Sequence, residues 1–116
     1  MEEEPWSRAT LRVWAGEMTV AEIGAALKID GAERSDRLWC VDAGGGDLHL
    51  DDLLKLVEAL LAEHREALVQ VAARCDVDLF VSWSPKEGQD SVCLGPDLIR
   101  LLGELGAHVV MDTHTG

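Results

Sequence analysis

From Ala9 to Ala15 the chain alternates, with Leu11 and Val13 on one side and Thr10, Arg12 and Trp14 on the other. A period of two marks a strand with two unlike faces. The pattern predicts a strand over Ala9–Ala15, ended by Gly16. Thr19-Val20-Ala21-Glu22 then reads as a capping box, in which the Thr19 hydroxyl accepts the Glu22 N–H and the Glu22 carboxylate accepts the Thr19 N–H. The short helix that follows is expected to bury Ile23, Ala26 and Leu27 and to stop at Gly31. Residues 30–36 are polar and read as a loop. Leu38-Trp39-Cys40-Val41 is continuously apolar, the pattern of a central strand covered on both faces. Gly44-Gly45-Gly46 is expected to break the chain, with Asp47 or Asp51 capping the next helix.

The strongest periodicity lies in that helix. Leu50, Leu54, Val57, Leu61, His64, Leu68, Val71 and Cys75 form one stripe, widened by Leu53, Leu60 and Ala72. Unbroken, it would be about 37 Å long, whereas a seven-residue strand spans about 23 Å. A bend or break is therefore expected near Ala62–Arg65.

Val77–Trp83 alternates as a strand, Ser84–Gln89 reads as a hairpin loop around Pro85 and Gly88, and Ser91–Leu94 as a short returning strand. Pro96 suits the first position of a last helix, whose apolar residues are Leu98, Ile99, Leu101, Leu102 and Leu105 and which Gly106 ends. Ala107–Thr113 completes the pattern as a strand. The predicted order is β-α-β-α-β-β-α-β. From the second strand onward it is that of a ferredoxin-like α+β fold, a five-stranded antiparallel or mixed sheet with its helices on one face. Residues 1–116 are read as a single domain, with 1–7 as a flexible acidic tail.

Composition narrows the function classes. The chain has 116 residues, 47% hydrophobic and 28% charged, enough for one core. Asp and Glu number 22 against 10 Lys and Arg, a formal net charge of −12. Such a field repels phosphate backbones and anionic lipid and attracts basic proteins, so nucleic acid and membrane are not expected partners. Cys40, Cys75 and Cys93 show no metal-site spacing and sit in apolar stretches, which suits core residues in a reducing cytoplasm. No cofactor is expected.

Several segments together resemble a bacterial family, domain of unknown function 4279. They are Leu11-Arg12-Val13-Trp14-Ala15-Gly16-Glu17, Glu22-Ile23 with Leu27 and Ile29, Trp39, and Asp52-Leu53 with the Leu-rich helix after it. Asp78-Leu79-Phe80 with Trp83, Leu94-Gly95-Pro96-Asp97-Leu98, and Leu105-Gly106 leading to Met111-Asp112 complete the set. Members of the family often end on an aromatic after the last acid; here His114 follows Thr113. These are mostly packing positions. The resemblance implies a small bacterial domain, in some cases a partner-binding or immunity-type protein, and brings no catalytic or binding residue with it.

Four candidate sites follow from the residues. His108, Asp112 and His114 share one face of the last strand and are a weak candidate metal set, opposed by the exposed strand entry and the chain end. Gly44-Gly45-Gly46-Asp47 sits where a phosphate cradle would, but without the lysine of a P-loop, and Asp47 repels anions. His64 and Cys75 lie about 16 Å apart along a helix and cannot form a nucleophilic pair. No catalytic residue is assigned. The fourth site is the sheet face opposite the helices, carrying Arg12, Trp14, Asp78, Phe80 and Ser82, which Trp39 or Val41 is expected to join. Aromatics beside one or two charges suit a protein interface or a shallow pocket, unless the tail with Trp6 or a long loop covers them. The expected function is a non-enzymatic interaction domain that binds a protein partner or a second copy through this face. The alternative is a small-molecule-binding protein or enzyme, with a pocket lined by Trp14, Trp39 and Arg12 on the same face or with the His108/Asp112/His114 strand.

Overall fold

The computed structural model describes residues 6–46, 49–84 and 92–113. Strand β1 (Ser7–Trp14) is central in a five-stranded mixed sheet. It pairs antiparallel with β3 (Leu38–Gly46) on one side and with β4 (Asp76–Trp83) on the other. Outside β3 lies β2 (Ala32–Glu33), antiparallel; outside β4 lies β5 (His108–Thr113), parallel, so the sheet order is β2-β3-β1-β4-β5. Among the described residues four helices connect the strands: α1 (Val20–Leu27), α2 (Leu50–Glu63), α3 (Arg65–Ala72) and α4 (Pro96–Leu105).

The fold is α+β, but its order departs from the expected one. A hairpin lies between β2 and β3, and among the described residues no strand follows β4 before α4. Val92–Leu94, expected in a returning strand, has no regular structure; Ser91 and residues 85–90 lie outside the described residues. Val92 and Leu94 are half-buried against the core, so their apolar pattern reflects packing without a ladder. The two residues of β2 are both exposed and carry no periodic signal. The ferredoxin-like order is therefore not found among the described residues.

Alternation along β1 and β4 is clean. Ala9, Leu11, Val13, Val77, Leu79 and Val81 are at most 4% exposed beneath the helices. The stripe on α2 and α3 buries as its spacing predicts, from Leu50, Leu54, Val57 and Leu61 to Leu68 and Val71, with Cys75 beyond. The break falls at His64, whose φ of −109° and ψ of 21° leave the helical region. The shortened α2 is about 21 Å long, close to the span of the sheet it crosses.

Caps set the helix ends. Thr19 and Glu22 form the expected capping box. Lys28, in the left-handed region with φ 54°, closes α1, and Gly31 does not. Ala26 is exposed rather than buried. His49, not Asp51, caps α2: its Nδ1 accepts the Asp51 N–H at 3.4 Å. Asp47 lies outside the described residues. α4 begins on Pro96 and ends on Gly106, φ 60°, as the sequence indicates.

Gly44-Gly45-Gly46 extends β3 instead of breaking the chain, and pairs with Ala9, Arg8 and Ser7. The register slips between Ala9 and Thr10, leaving Ala43 as the extra residue of a bulge. A ready partner in β1 overrides the weak strand preference of glycine. Within the segment expected as a tail, Ser7 begins β1 and the Trp6 carbonyl accepts the Ser84 N–H at 2.9 Å. Residues 1–5 lie outside the described residues. Cys75 is buried in the core as expected, Cys40 is buried but stands outside the core cluster, and Cys93 is exposed.

Gly31 has its role in packing. A Cβ there would stand 2.4 Å from Trp39 Cζ2 and 2.8 Å from the Cys40 carbonyl oxygen. Gly31→Ala should therefore destabilise the fold by about 1–3 kcal/mol, read as a lower urea midpoint at unchanged slope. The capping box predicts a pH dependence. The Thr19 backbone N–H, then its side chain, holds the Glu22 carboxyl below its ordinary value of 4.5. A depressed folded value stabilises above the unfolded one and is lost as pH falls. The stability gap between the native chain and Glu22→Gln should thus be widest above pH 4.5 and shrink below it, as pH-resolved urea unfolding would show.

Candidate functional site

The strand register decides what meets on the face away from the helices. Arg12 stands opposite Cys40 on β3 and Asp78 on β4; Thr10 stands opposite Asp42 and Phe80; Trp14 opposite Leu38 and Asp76. The parallel β5 adds His108 beside Asp78, Val110 beside Phe80 and Asp112 beside Ser82. Arg12, Trp14, Asp78, Phe80 and Ser82 thus share one face, as their alternation implies.

These residues form a bonded cluster. Arg12 Nε donates to Asp78 Oδ1 at 2.6 Å, and Trp14 Nε1 donates to Asp78 Oδ2 at 2.9 Å. Both carboxylate oxygens are engaged. The Arg12 guanidinium lies 4.7 Å from the Phe80 ring centroid and 5.5 Å from that of Trp14, within cation–π range of both. The ion pair is largely shielded, with 25% and 13% of the two side chains exposed. The terminal nitrogens of Arg12 make no hydrogen bond to a described residue. Beside the cluster, Thr10 Oγ1 donates to Asp42 Oδ1 at 2.6 Å. Trp14 and Val110 remain 38% and 37% exposed.

Trp39 does not join this face. It pairs with Val13, is 2% exposed, and lies beneath the helices against Gly24 and Gly31. Val41 pairs with Leu11 on the same buried side. Residues two apart on a strand share a face, so neither Trp39 nor Val41 could reach the other side while both packed in the core. Leu38 and Cys40 occupy the open face instead. Cys40 is the position that the unbroken apolar run concealed; its Sγ accepts the Arg34 Nε–H at 3.2 Å.

The other candidates separate. His108 and Asp112 share the open face, but four strand residues span about 13 Å. They do not converge on one ion, and His114 lies outside the described residues. No group of three His, Cys, Asp or Glu among the described residues is placed to hold a metal. The backbone of Gly44–Gly46 is committed to the sheet ladder rather than to an anion cradle. One cleft of about 330 Å³ lies at the β2 edge beside Arg34, Cys40 and Asp42, and another of about 460 Å³ at the His64 break. Neither is lined by Arg12, Trp14 or Phe80.

Asp78 holds the cluster together. Asp78→Ala strips the acceptor from both Arg12 and Trp14 and should cost about 1–3 kcal/mol. The double change Arg12→Met with Asp78→Leu should recover most of that loss, because no charge is then left unpaired. Urea unfolding of the single and double variants checks both outcomes.

A family model for a domain of unknown function, DUF4279, matches residues 18–116. The match begins after β1, so it includes Asp78 and Phe80 but not Arg12 or Trp14. No curated protein and no solved structure matches the chain. With the match running from Met18 through the last residue, the chain belongs to the DUF4279 family.

Proposed function

We propose that this chain is a non-enzymatic protein-interaction domain that docks a basic protein on the open face of its sheet. One observation carries the reading. The helix-free face presents a preassembled Arg12–Trp14–Asp78–Phe80 cluster, with Trp14 38% exposed. Tryptophan and arginine dominate interface hot spots, and a held rotamer loses little entropy on binding. The terminal nitrogens of Arg12 are available to a partner's carbonyl or carboxylate oxygens.

The choice of a basic partner rests on the formal charge of −12, which speeds encounter with cationic surfaces and opposes nucleic acid. An immunity-type role, in which an acidic domain masks a basic toxin, fits this chemistry. Three free cysteines accord with a reducing compartment such as the bacterial cytoplasm. Among the described residues no helix is long and apolar enough to cross a membrane. The small-molecule alternative called for a pocket lined by Trp14, Trp39 and Arg12, and Trp39 lies on the opposite side of the sheet.

Trp14→Ala tests the reading. Affinity capture from the host should retain a basic protein on the native chain and lose it on the variant. With the purified pair, titration should show at least a roughly 30-fold weaker Kd, the loss of one hot spot. An unchanged Kd in both Trp14→Ala and Phe80→Ala, with native circular dichroism, rejects the open face as the docking surface.

A further inference from the structure

The cleft at the β2 edge lies beyond the Arg12–Trp14–Phe80 cluster. Its volume is about 330 Å³, and Asp30, Arg34, Cys40 and Asp42 are among its lining residues. Unlike charges therefore share a small space, and two of them are held from within the chain. Arg34 sits in the turn between β2 and β3, where its backbone N–H donates to the Leu38 carbonyl at 2.8 Å and its Nε–H donates to Cys40 Sγ at 3.2 Å. Asp42 Oδ1 accepts the Thr10 hydroxyl at 2.6 Å. The terminal nitrogens of Arg34 and Oδ2 of Asp42 make no hydrogen bond to a described residue.

The spacing of these two charges decides what fits between them. Cys40 and Asp42 are two residues apart on one face of β3, a separation of about 7 Å. A cation held at Cys40 and a carboxylate held at Asp42 are thus too far apart to pair, and Arg34 forms no ion pair among the described residues. We infer that the cleft binds the main-chain charges of a free α-amino acid, with the ligand's carboxylate on the terminal nitrogens of Arg34 and its ammonium on Asp42. The two charged groups of an α-amino acid lie about 3 Å apart. Two charge-assisted hydrogen bonds of about 2.8 Å each, bent at the ligand, then span the gap.

Charge argues against simpler ligands. An anion would meet Asp30, Asp42 and the field of a chain with a formal net charge of −12. An amine or a metal cation would meet Arg34, and no three His, Cys, Asp or Glu among the described residues are placed to hold a metal. A zwitterion carries no net charge and satisfies both sides. The volume stands at the lower end of small-molecule sites, which begin at about 300 Å³. Because both binding groups are held in advance, little side-chain entropy is lost on binding. Arg12, Trp14 and Phe80 do not line the cleft, so this inference stands independently of the docking face.

Nitrogen–proton correlation spectra of the full chain, titrated with glycine to about 50 mM at neutral pH, test it. Glycine carries both charges and no side chain that could clash. The backbone signals of Ala32, Arg34, Cys40 and Asp42 should shift and saturate with a Kd on the order of 1 mM. N-acetylglycine lacks the ammonium and glycinamide the carboxylate, and each should bind roughly tenfold more weakly or worse. Arg34→Gln, an exposed change, should weaken glycine binding by a similar factor. So should Asp42→Asn, which keeps an acceptor for Thr10. Trp14→Ala should bind glycine as the native chain does. A native chain without saturating shifts overturns the inference. So does N-acetylglycine or glycinamide binding as tightly as glycine, or native-like binding by Arg34→Gln or Asp42→Asn. Loss of glycine binding in Trp14→Ala, with native circular dichroism, would move the site to the docking face and equally overturn it.

Discussion

The double pairing of β1 is the constraint on which the structure rests. As the central strand, its ladders on both sides fix the register of β3 and β4 at once. Side chains alternate across a strand, so that register sorts the residues of three strands onto two faces. Leu11 therefore meets Val41 and Leu79 under the helices, while Arg12 meets Cys40 and Asp78 on the other side. A slip of one residue would turn the apolar set outward, which the buried face forbids.

The helix side is closed by close approach as well as by apolar area. Trp39 packs against Gly31, where a Cβ would collide with its ring, and closely against Gly24. At the other end of the layer, the break at His64 lets α2 and α3 each follow the core, and Arg65 on α3 bonds Glu104 on α4 at 2.5 Å. That exposed pair contributes little energy and chiefly orients the two helices.

The open face answers to different chemistry. A charge pair in the middle of a sheet is costly unless its hydrogen bonds are met. Here both Asp78 oxygens are bonded, by Arg12 Nε and Trp14 Nε1, and two rings flank the cation. The result is a rigid, half-shielded surface with aromatic and charged groups prearranged. Its neighbour β5 continues the same face to the last strand of the sheet.

Much of this was legible in the chain. The alternation of β1 and β4, the capping box at Thr19, the stripe from Leu50 to Cys75 with its break, and the Pro96 and Gly106 boundaries all follow from local periodicity and capping. So does the grouping of Arg12, Trp14, Asp78 and Phe80, because period-two signals survive in strands with unlike faces. Three features were decided elsewhere. The apolar run Leu38–Val41 carries no alternation, so only its pairing with β1 could put Trp39 in the core and Cys40 on the open face. The glycines 44–46 become strand because β1 lies beside them, and the exposed pair Ala32–Glu33 becomes strand because β3 does. Local pattern determines which residues seek burial; ladder partners, brought together only by the folded chain, determine which side they reach and what they touch.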